Sequence, residues 1–157
     1  MTHHRKTATS SIRCASEDDI PALCGLLGQL FAQEAEFVPD PDAQQRGLHA
    51  IVGDAQKGQI LVACQDERIV AMVSLLYSVS TALGARVALL EDMVVDAAHR
   101  GDGIGSALLR YAIDFAREQG CRRITLLTDQ DNRAAQRFYA RHGFGQSPMI
   151  ALRLALP

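Results

Sequence analysis

The chain has 157 residues, 48% of them apolar and 22% charged, with a formal net charge of −2. That length suits a single core, and the composition excludes an intrinsically disordered chain. The nearly balanced charge offers no general attraction to nucleic acid or anionic membranes, and no apolar run approaches the roughly 20 residues that span a bilayer.

Residues 1–10 (MTHHRKTATS) are polar and lack the apolar centre of a secretion signal, so they read as a flexible arm before one domain at 11–157. His3 and His4 are read as part of that arm, not as metal ligands. Ser11–Ala15 reads as a first strand. Ser16-Glu17-Asp18-Asp19 is close to a capping box, with acidic residues in the first turn. Ile20, Leu23, Cys24, Leu27, Leu30 and Phe31 follow at helical spacing. A second, weaker helix is expected between Pro41 and Ala55.

Gln59–Gln65 and Ile69–Ser78 read as strands joined by a turn at Asp66-Glu67-Arg68. The second is apolar on both faces, as a central strand covered on both sides would be. Arg86–Val95 is the next strand. A glycine-rich turn follows at Gly101–Gly105. The helix after it carries Ile104, Ala107, Leu108, Tyr111, Ala112 and Phe115 as one apolar stripe and ends at Gly120. Arg123–Thr128 reads as a strand, Arg133–His142 as a helix capped by Gly143, and Ser147–Leu154 as a closing strand. Strand, glycine turn, helix and strand make a βαβ unit with parallel strands, so the fold class is α/β or α+β.

Cys14, Cys24, Cys64 and Cys121 contain no C-x-x-C pair. Each has apolar neighbours, and they read as small buried hydrophobes with reduced thiols, as in a cytoplasmic protein.

The glycine turn carries the chemistry. Glycines at 101, 103 and 105 let the chain turn sharply just where a helix begins, which leaves backbone N–H groups pointing outward. The helix dipole adds partial positive charge there, and Arg100 adds a cation at the rim. Such a site suits a diphosphate. It is not a P-loop, because Gly105-Ser106-Ala107 has no lysine. It is not the dinucleotide fingerprint either, since Ser106 or Leu108 stands where the last glycine belongs.

Arg100-x-x-Gly103-x-Gly105 resembles the R/Q-x-x-G-x-G/A turn of the GNAT superfamily of N-acetyltransferases. Asn132 to Phe144 (NRAAQRFYARHGF) is similar to that family's N-x-x-A-x-x-F-Y-x-x-x-G-F helix. The resemblance covers about residues 60 to 145. It implies a mixed, mostly antiparallel sheet flanked by helices and splayed where acetyl-CoA enters. It implies that the backbone around Met93, Val94 and Val95 pairs with the pantetheine arm, and that Arg100, Gly101, Asp102, Gly103, Ile104, Gly105 and Ser106 surround the diphosphate. Asn132 would contact the cofactor arm or hold a water, and it suits an N-cap equally well. No metal is implied. The short run Leu90–Asp96 also resembles the glucosamine-6-phosphate N-acetyltransferase branch, without fixing a substrate.

Acetyl transfer to an amine needs a proton acceptor for the amine, a polarised carbonyl and a proton donor for the departing thiolate. The resemblance implies Tyr139 as that donor, although packing beside Phe138 would also explain it. Glu91 and Asp92 interrupt an apolar strand, where unpaired carboxylates are costly. Alternation sends them to opposite faces unless a bulge intervenes. Glu91, on the face of Met93 and Val95, is the expected base, its pKa raised by burial. An ion pair with Arg86 or Arg123 is the competing reading, and water is a third candidate for the base. Phe31, Glu34, Glu36, Phe37, Tyr77, Ser80 and Thr81 are candidates to line the acceptor pocket. His99 and His142 read as solvent-facing turn and helix-end residues.

The expected function is therefore direct attack of a small-molecule or protein amine on acetyl-CoA, without a covalent enzyme intermediate. A CoA-binding regulatory domain without turnover is the alternative, and a nucleotide-binding α/β protein a weaker third. Homodimers are common for the family, but nothing in the sequence requires one.

Overall fold

The computed structural model describes residues 10–34 and 38–157, so the arm bearing His3 and His4, and the positions Glu36 and Phe37, lie outside the described residues. The chain divides into two compact units, one running to Leu127 and the other spanning Thr128–Pro157.

Period-two runs of aliphatic residues build the first unit's sheet. Strands β1 (Ser10–Cys14), β2 (Gly58–Gln65), β3 (Arg68–Ser80), β4 (Ala85–Val95) and β5 (Ile124–Leu126) lie in that order. The first three pairings are antiparallel and β4–β5 is parallel. The parallel pair follows from the crossover helix between those strands, as the βαβ reading requires. The β2–β3 turn places Asp66 and Glu67 at φ of +49° and +67°. That pair of left-handed residues gives the tight hairpin its twist.

Helices α1 (Ile20–Gln33) and α2 (Pro41–Val52) cover one face. There Ile20, Leu23, Leu26, Leu27 and Leu48 pack on Ile60, Val62, Cys64, Met72 and Val94. The alternate residues Leu61, Ala63, Ala71, Val73 and Leu75 point the other way and are equally buried. Helix α3 (Ile104–Glu118) packs against β2, β3 and β4 with Leu108, Leu109, Ala112 and Ala116 buried. Truncating a fully buried leucine such as Leu23 or Leu61 to alanine removes contacts worth about 2–5 kcal/mol.

The start of α1 is tied to the first strand. Arg13 donates to both carboxylate oxygens of Asp19, at 2.7 and 3.0 Å, and the Ser16 amide donates to the same carboxylate at 2.7 Å. The Arg13 hydrogen bonds are the main reason the Asp19 carboxyl is held down at about 2. A short 3-10 turn (Glu17–Asp19) precedes α1, where the sequence reads as uninterrupted helix.

The second unit contains α4 (Arg133–Arg141). Gly143, at φ +93°, follows its end as the left-handed cap that the sequence predicts. The expected closing strand at Ser147–Leu154 is not present: these residues have no regular structure. Their alternating pattern suits a strand, but a strand forms only where another offers a ladder of hydrogen bonds.

The four cysteines are unpaired. Only Cys64 is buried, while Cys24 and Cys121 are half-buried and Cys14 is exposed, so apolar neighbours in sequence overstate the burial of the other three. Among the described residues no helix is long and apolar enough to cross a membrane.

Candidate functional site

The β3–β4 ladder is interrupted once. Ser74 pairs with Glu91 and Met72 with Val94, so Asp92 and Met93 together face the single residue Val73. The extra residue is a β-bulge, and Asp92 within it has a φ of +53°. Aspartate tolerates this region better than most residues.

The bulge changes which side chains share a face. Cross-strand partners point the same way, as do alternate residues of one strand. Glu91, opposite Ser74, therefore shares its face with Val94, opposite Met72, and not with Met93 and Val95 as unbroken alternation predicts. Glu91 is also exposed. Asp92 is the shielded carboxylate: burial, then repulsion from Glu91 and Glu34, pushes it up to about 6. Val94 is a core residue, 5% exposed, and its side chain serves packing against α1.

Beyond the bulge, among the described residues, no strand pairs with one edge of β4. Its pairing with β5 covers only Ala88, Leu89 and Leu90. The Asp96 amide donates to the Val70 carbonyl at 2.8 Å on the β3 side. Antiparallel alternation then turns the backbone groups of the preceding residue, Val95, toward the open edge. Arg100 reaches back along that edge, its Nε donating to the Val95 carbonyl at 3.2 Å.

The turn that follows is held from α1. Gln29 Nε2 donates to Asp96 Oδ1 at 3.2 Å, and Gln29 Oε1 accepts from the Ala97 amide at 3.2 Å. His99 Nδ1 lies 3.2 Å from Asp96 Oδ2, so His99 is a half-buried member of this turn and not a solvent-facing one. The Gln29 hydrogen bond is the main reason the Asp96 carboxyl lies below its ordinary range. The sequence offers no signal for Gln29, which is one polar residue among several on its helix.

Gly101 and Gly103 have φ of +89° and +78°, with open space where a side chain would begin. Gly103 caps α3, and the first hydrogen bond of that helix runs from the Ala107 amide to the Gly103 carbonyl at 3.1 Å. The amides of Ile104 and Gly105 precede it and have no intrahelical acceptor. Asp102 is exposed, and Gly105 and Ser106 are half-buried in the first turn.

In the second unit, Asn132 is the N-cap of α4, its side chain accepting from the Ala135 amide at 3.1 Å. Gln136 Nε2 donates to the carbonyls of Asp129 and Gln130, at 3.1 and 2.8 Å, and so ties the helix to the loop before it. Tyr139 makes edge contacts with Phe138 and Phe144, at centroid separations of 5.2 and 5.7 Å. Burial pushes its phenol up to about 12. His142 is half-buried beside Phe138, at 5.1 Å.

Of the acceptor-pocket candidates, Glu34 is half-buried, and Asp92 feels its charge. Phe31 packs against the core cluster. Tyr77 pairs with Ala88, and the Arg86 guanidinium lies over its ring at 4.5 Å. That pairing puts Tyr77 on the face of Leu75 and Leu90, opposite to that of Ser74 and Glu91. Ser80 accepts from the Leu83 amide at 3.2 Å as part of the β3–β4 turn, and Thr81 is exposed in that turn. These three therefore belong to a different region from Glu34 and Asp92. Among the described residues no group of three His, Cys, Asp or Glu side chains could hold a metal ion.

Comparison with known proteins agrees with this architecture. Residues 26–144 match the model of the Acetyltransferase (GNAT) family, and the chain belongs to that family. It is 29% identical over 136 residues to the aminoalkylphosphonate N-acetyltransferase of Salmonella typhimurium, covering 87% of this chain and 85% of that one. It is 46% identical over 55 residues to the streptothricin acetyltransferase of Streptomyces lavendulae, covering 35% of this chain and 29% of that one. Among several curated relatives, the matched stretch spans only 28% to 35% of the relative's length. The fold is similar to that of a possible acetyltransferase from Clostridium difficile 630, with a TM-score of 0.84, 21% identity, and coverage of 94% and 98% of the two chains.

Proposed function

We propose that this protein transfers an acetyl group from acetyl-CoA to an amine by direct attack, as a cytoplasmic enzyme. The observation that carries the reading is the unpaired edge of β4, opened by the bulge and running straight into the glycine turn. An extended pantetheine arm fits that edge as a neighbouring strand would, beginning at the outward backbone groups of Val95 and Met93. The amides of Ile104 and Gly105, the α3 dipole and the Arg100 guanidinium suit a diphosphate where the edge ends.

Acetyl-CoA supplies, when bound, a thioester carbonyl open to attack. The protein's residues manage protons. Asp92, ionised above about pH 6, accepts the proton an ammonium must lose before it attacks. Tyr139, whose phenol stays protonated through the neutral range, donates to the departing sulfur. Support for Tyr139 rests on its motif and its burial. Asp92 replaces Glu91 as the favoured base because it is the carboxylate whose environment moves its pKa toward neutrality.

Some relatives are named for amines that bear phosphonate or phosphate. In this chain Glu34, Glu91 and Asp92 bring three carboxylates together. That field favours an acceptor with a further positive charge over one bearing a phosphorus oxyanion. The test is release of CoA thiol from acetyl-CoA across a panel of amines matched in size and differing in charge. Turnover greatest with di- or polycationic amines supports the reading. Tight CoA binding with no turnover on any amine would leave a CoA-binding module and no enzyme.

A further inference from the structure

One side chain of α1 grips the chain just upstream of the glycine turn, across 67 and 68 residues of sequence. Gln29 is half-buried, and both ends of its amide are used. Its Oε1 accepts from the Ala97 amide and its Nε2 donates to Asp96 Oδ1, each at 3.2 Å. A primary amide can do both at once, so a single side chain holds a backbone group and the carboxylate next to it.

The segment so held has little order of its own. Ala97–His99 is one 3-10 turn, and its backbone bond runs from the His99 amide to the Asp96 carbonyl at 2.8 Å. Turns this short are marginal without tertiary support. Downstream, Gly101 and Gly103 have positive φ, and glycine loses more conformational freedom on ordering than any other residue. The placement of the Arg100 guanidinium and of the amides at 101–103 therefore depends on where residues 96–99 are fixed. Asp96 carries the constraint forward. Its Oδ2 lies 3.2 Å from His99 Nδ1, and Arg100 follows with its Nε on the Val95 carbonyl.

We propose that Gln29 is a positioning residue for coenzyme A. It does not touch the cofactor, but it fixes residues 96–99 so that Arg100 and the amides of the glycine turn are aligned before the diphosphate arrives. The inference rests on the reading of that turn as the diphosphate site. Order already present in the free protein does not have to be created on binding, and so it appears as affinity.

The test is calorimetric binding of CoA to the full chain and to three variants. Gln29→Met keeps the volume and removes both hydrogen bonds, and CoA affinity should fall about tenfold. Gln29→Glu keeps an acceptor for the Ala97 amide but sets a second carboxylate against Asp96, and it should weaken CoA at least as much. Gln33→Ala, at an exposed position one turn further along α1, should bind CoA as the wild type does. Amide exchange separates this effect from a general loss of stability. In free Gln29→Met the amides of Ala97 and of residues 101–103 should exchange faster, with β2 and β3 unchanged. Saturating CoA should restore wild-type protection there. If Gln29→Met binds CoA as tightly as the wild type, or weakens only together with faster exchange across β2 and β3, the proposal is overturned while the diphosphate reading stands. If the wild-type chain itself does not bind CoA, both fall.

Discussion

The Ala107 amide meets the Gly103 carbonyl at 3.1 Å, and this bond fixes where α3 begins. The amides of Ile104 and Gly105 come before it and have no intrahelical acceptor. A left-handed glycine as the N-cap makes this possible, because few other residues hold a φ of +78° at low cost.

Gly103→Ala tests the turn itself. Space is open at the new Cβ, so the penalty is conformational, about 1 kcal/mol. Part of it will be relieved by a shift of the turn that misaligns the amides. The expected result is an intact fold with CoA affinity reduced about tenfold. Calorimetry on the folded variant measures this.

Asp92 makes two linked predictions. As the base it must be ionised, so kcat/KM should rise with pH through about 6 and level off above. Asp92→Asn should lower kcat by roughly 100-fold, within the range of general-base catalysis, and remove that limb. The stability sign is opposite. The folded pKa lies above the ordinary carboxylate value of 3.8, so the ionised carboxylate opposes folding. The handicap is absent below about pH 4, develops between about 4 and 6, and is complete above. Asp92→Asn should therefore raise Tm at pH 8 and leave it nearly unchanged at pH 4. Loss of activity with a gain in stability distinguishes a strained functional group from a structural one.

Tyr139→Phe removes the proposed proton donor and keeps the ring contacts with Phe138 and Phe144. Turnover should fall at least ~10-fold with CoA affinity unchanged, within the range of general-acid contributions. Acceptors that attack quickly, so that loss of the thiolate limits the rate, should show the largest fall.

The Arg13–Asp19 pair predicts a loss of stability in acid. Asp19 is held at about 2 against an ordinary value of 3.8, so its contribution is complete above about pH 4 and disappears as pH falls toward 2. The shift corresponds to at most about 2 kcal/mol, and the half-exposed Arg13 brings this nearer 1 kcal/mol. Asp19→Asn should lower stability by that amount at pH 7 and have little effect at pH 2, as chemical denaturation at the two pH values would show.

Gly58→Ala should be damaging far from the site. A Cβ there would collide with the Leu75 carbonyl oxygen, and backbone cannot yield cheaply. A loss of about 1–3 kcal/mol is expected, read from the denaturation midpoint.

Where periodicity and cap chemistry act locally, sequence and structure agree. The α3 stripe, the capping residues of α4, the parallel β4–β5 pair and a turn at Asp66-Glu67-Arg68 are legible in the residues, although Arg68 already belongs to β3. What escapes the sequence depends on register. Nothing in Leu90–Val95 says that Asp92 and Met93 will oppose one residue, yet that one insertion moves Glu91 onto the face of Val94 and leaves Asp92 shielded. Gln29 is equally silent, because its partners, Asp96 and Ala97, lie about 70 residues away in the chain. The segment after Ser147 shows the converse. Its pattern is that of a strand, but pattern alone supplies no partner.

The central claim is that the open β4 edge and the start of α3 hold coenzyme A. Amide hydrogen exchange with and without saturating CoA tests it most directly. The account predicts strong protection at Val95 and across residues 101–106, with β1 and α2 unchanged. Absence of binding, or binding that leaves those amides exchanging freely, would contradict it.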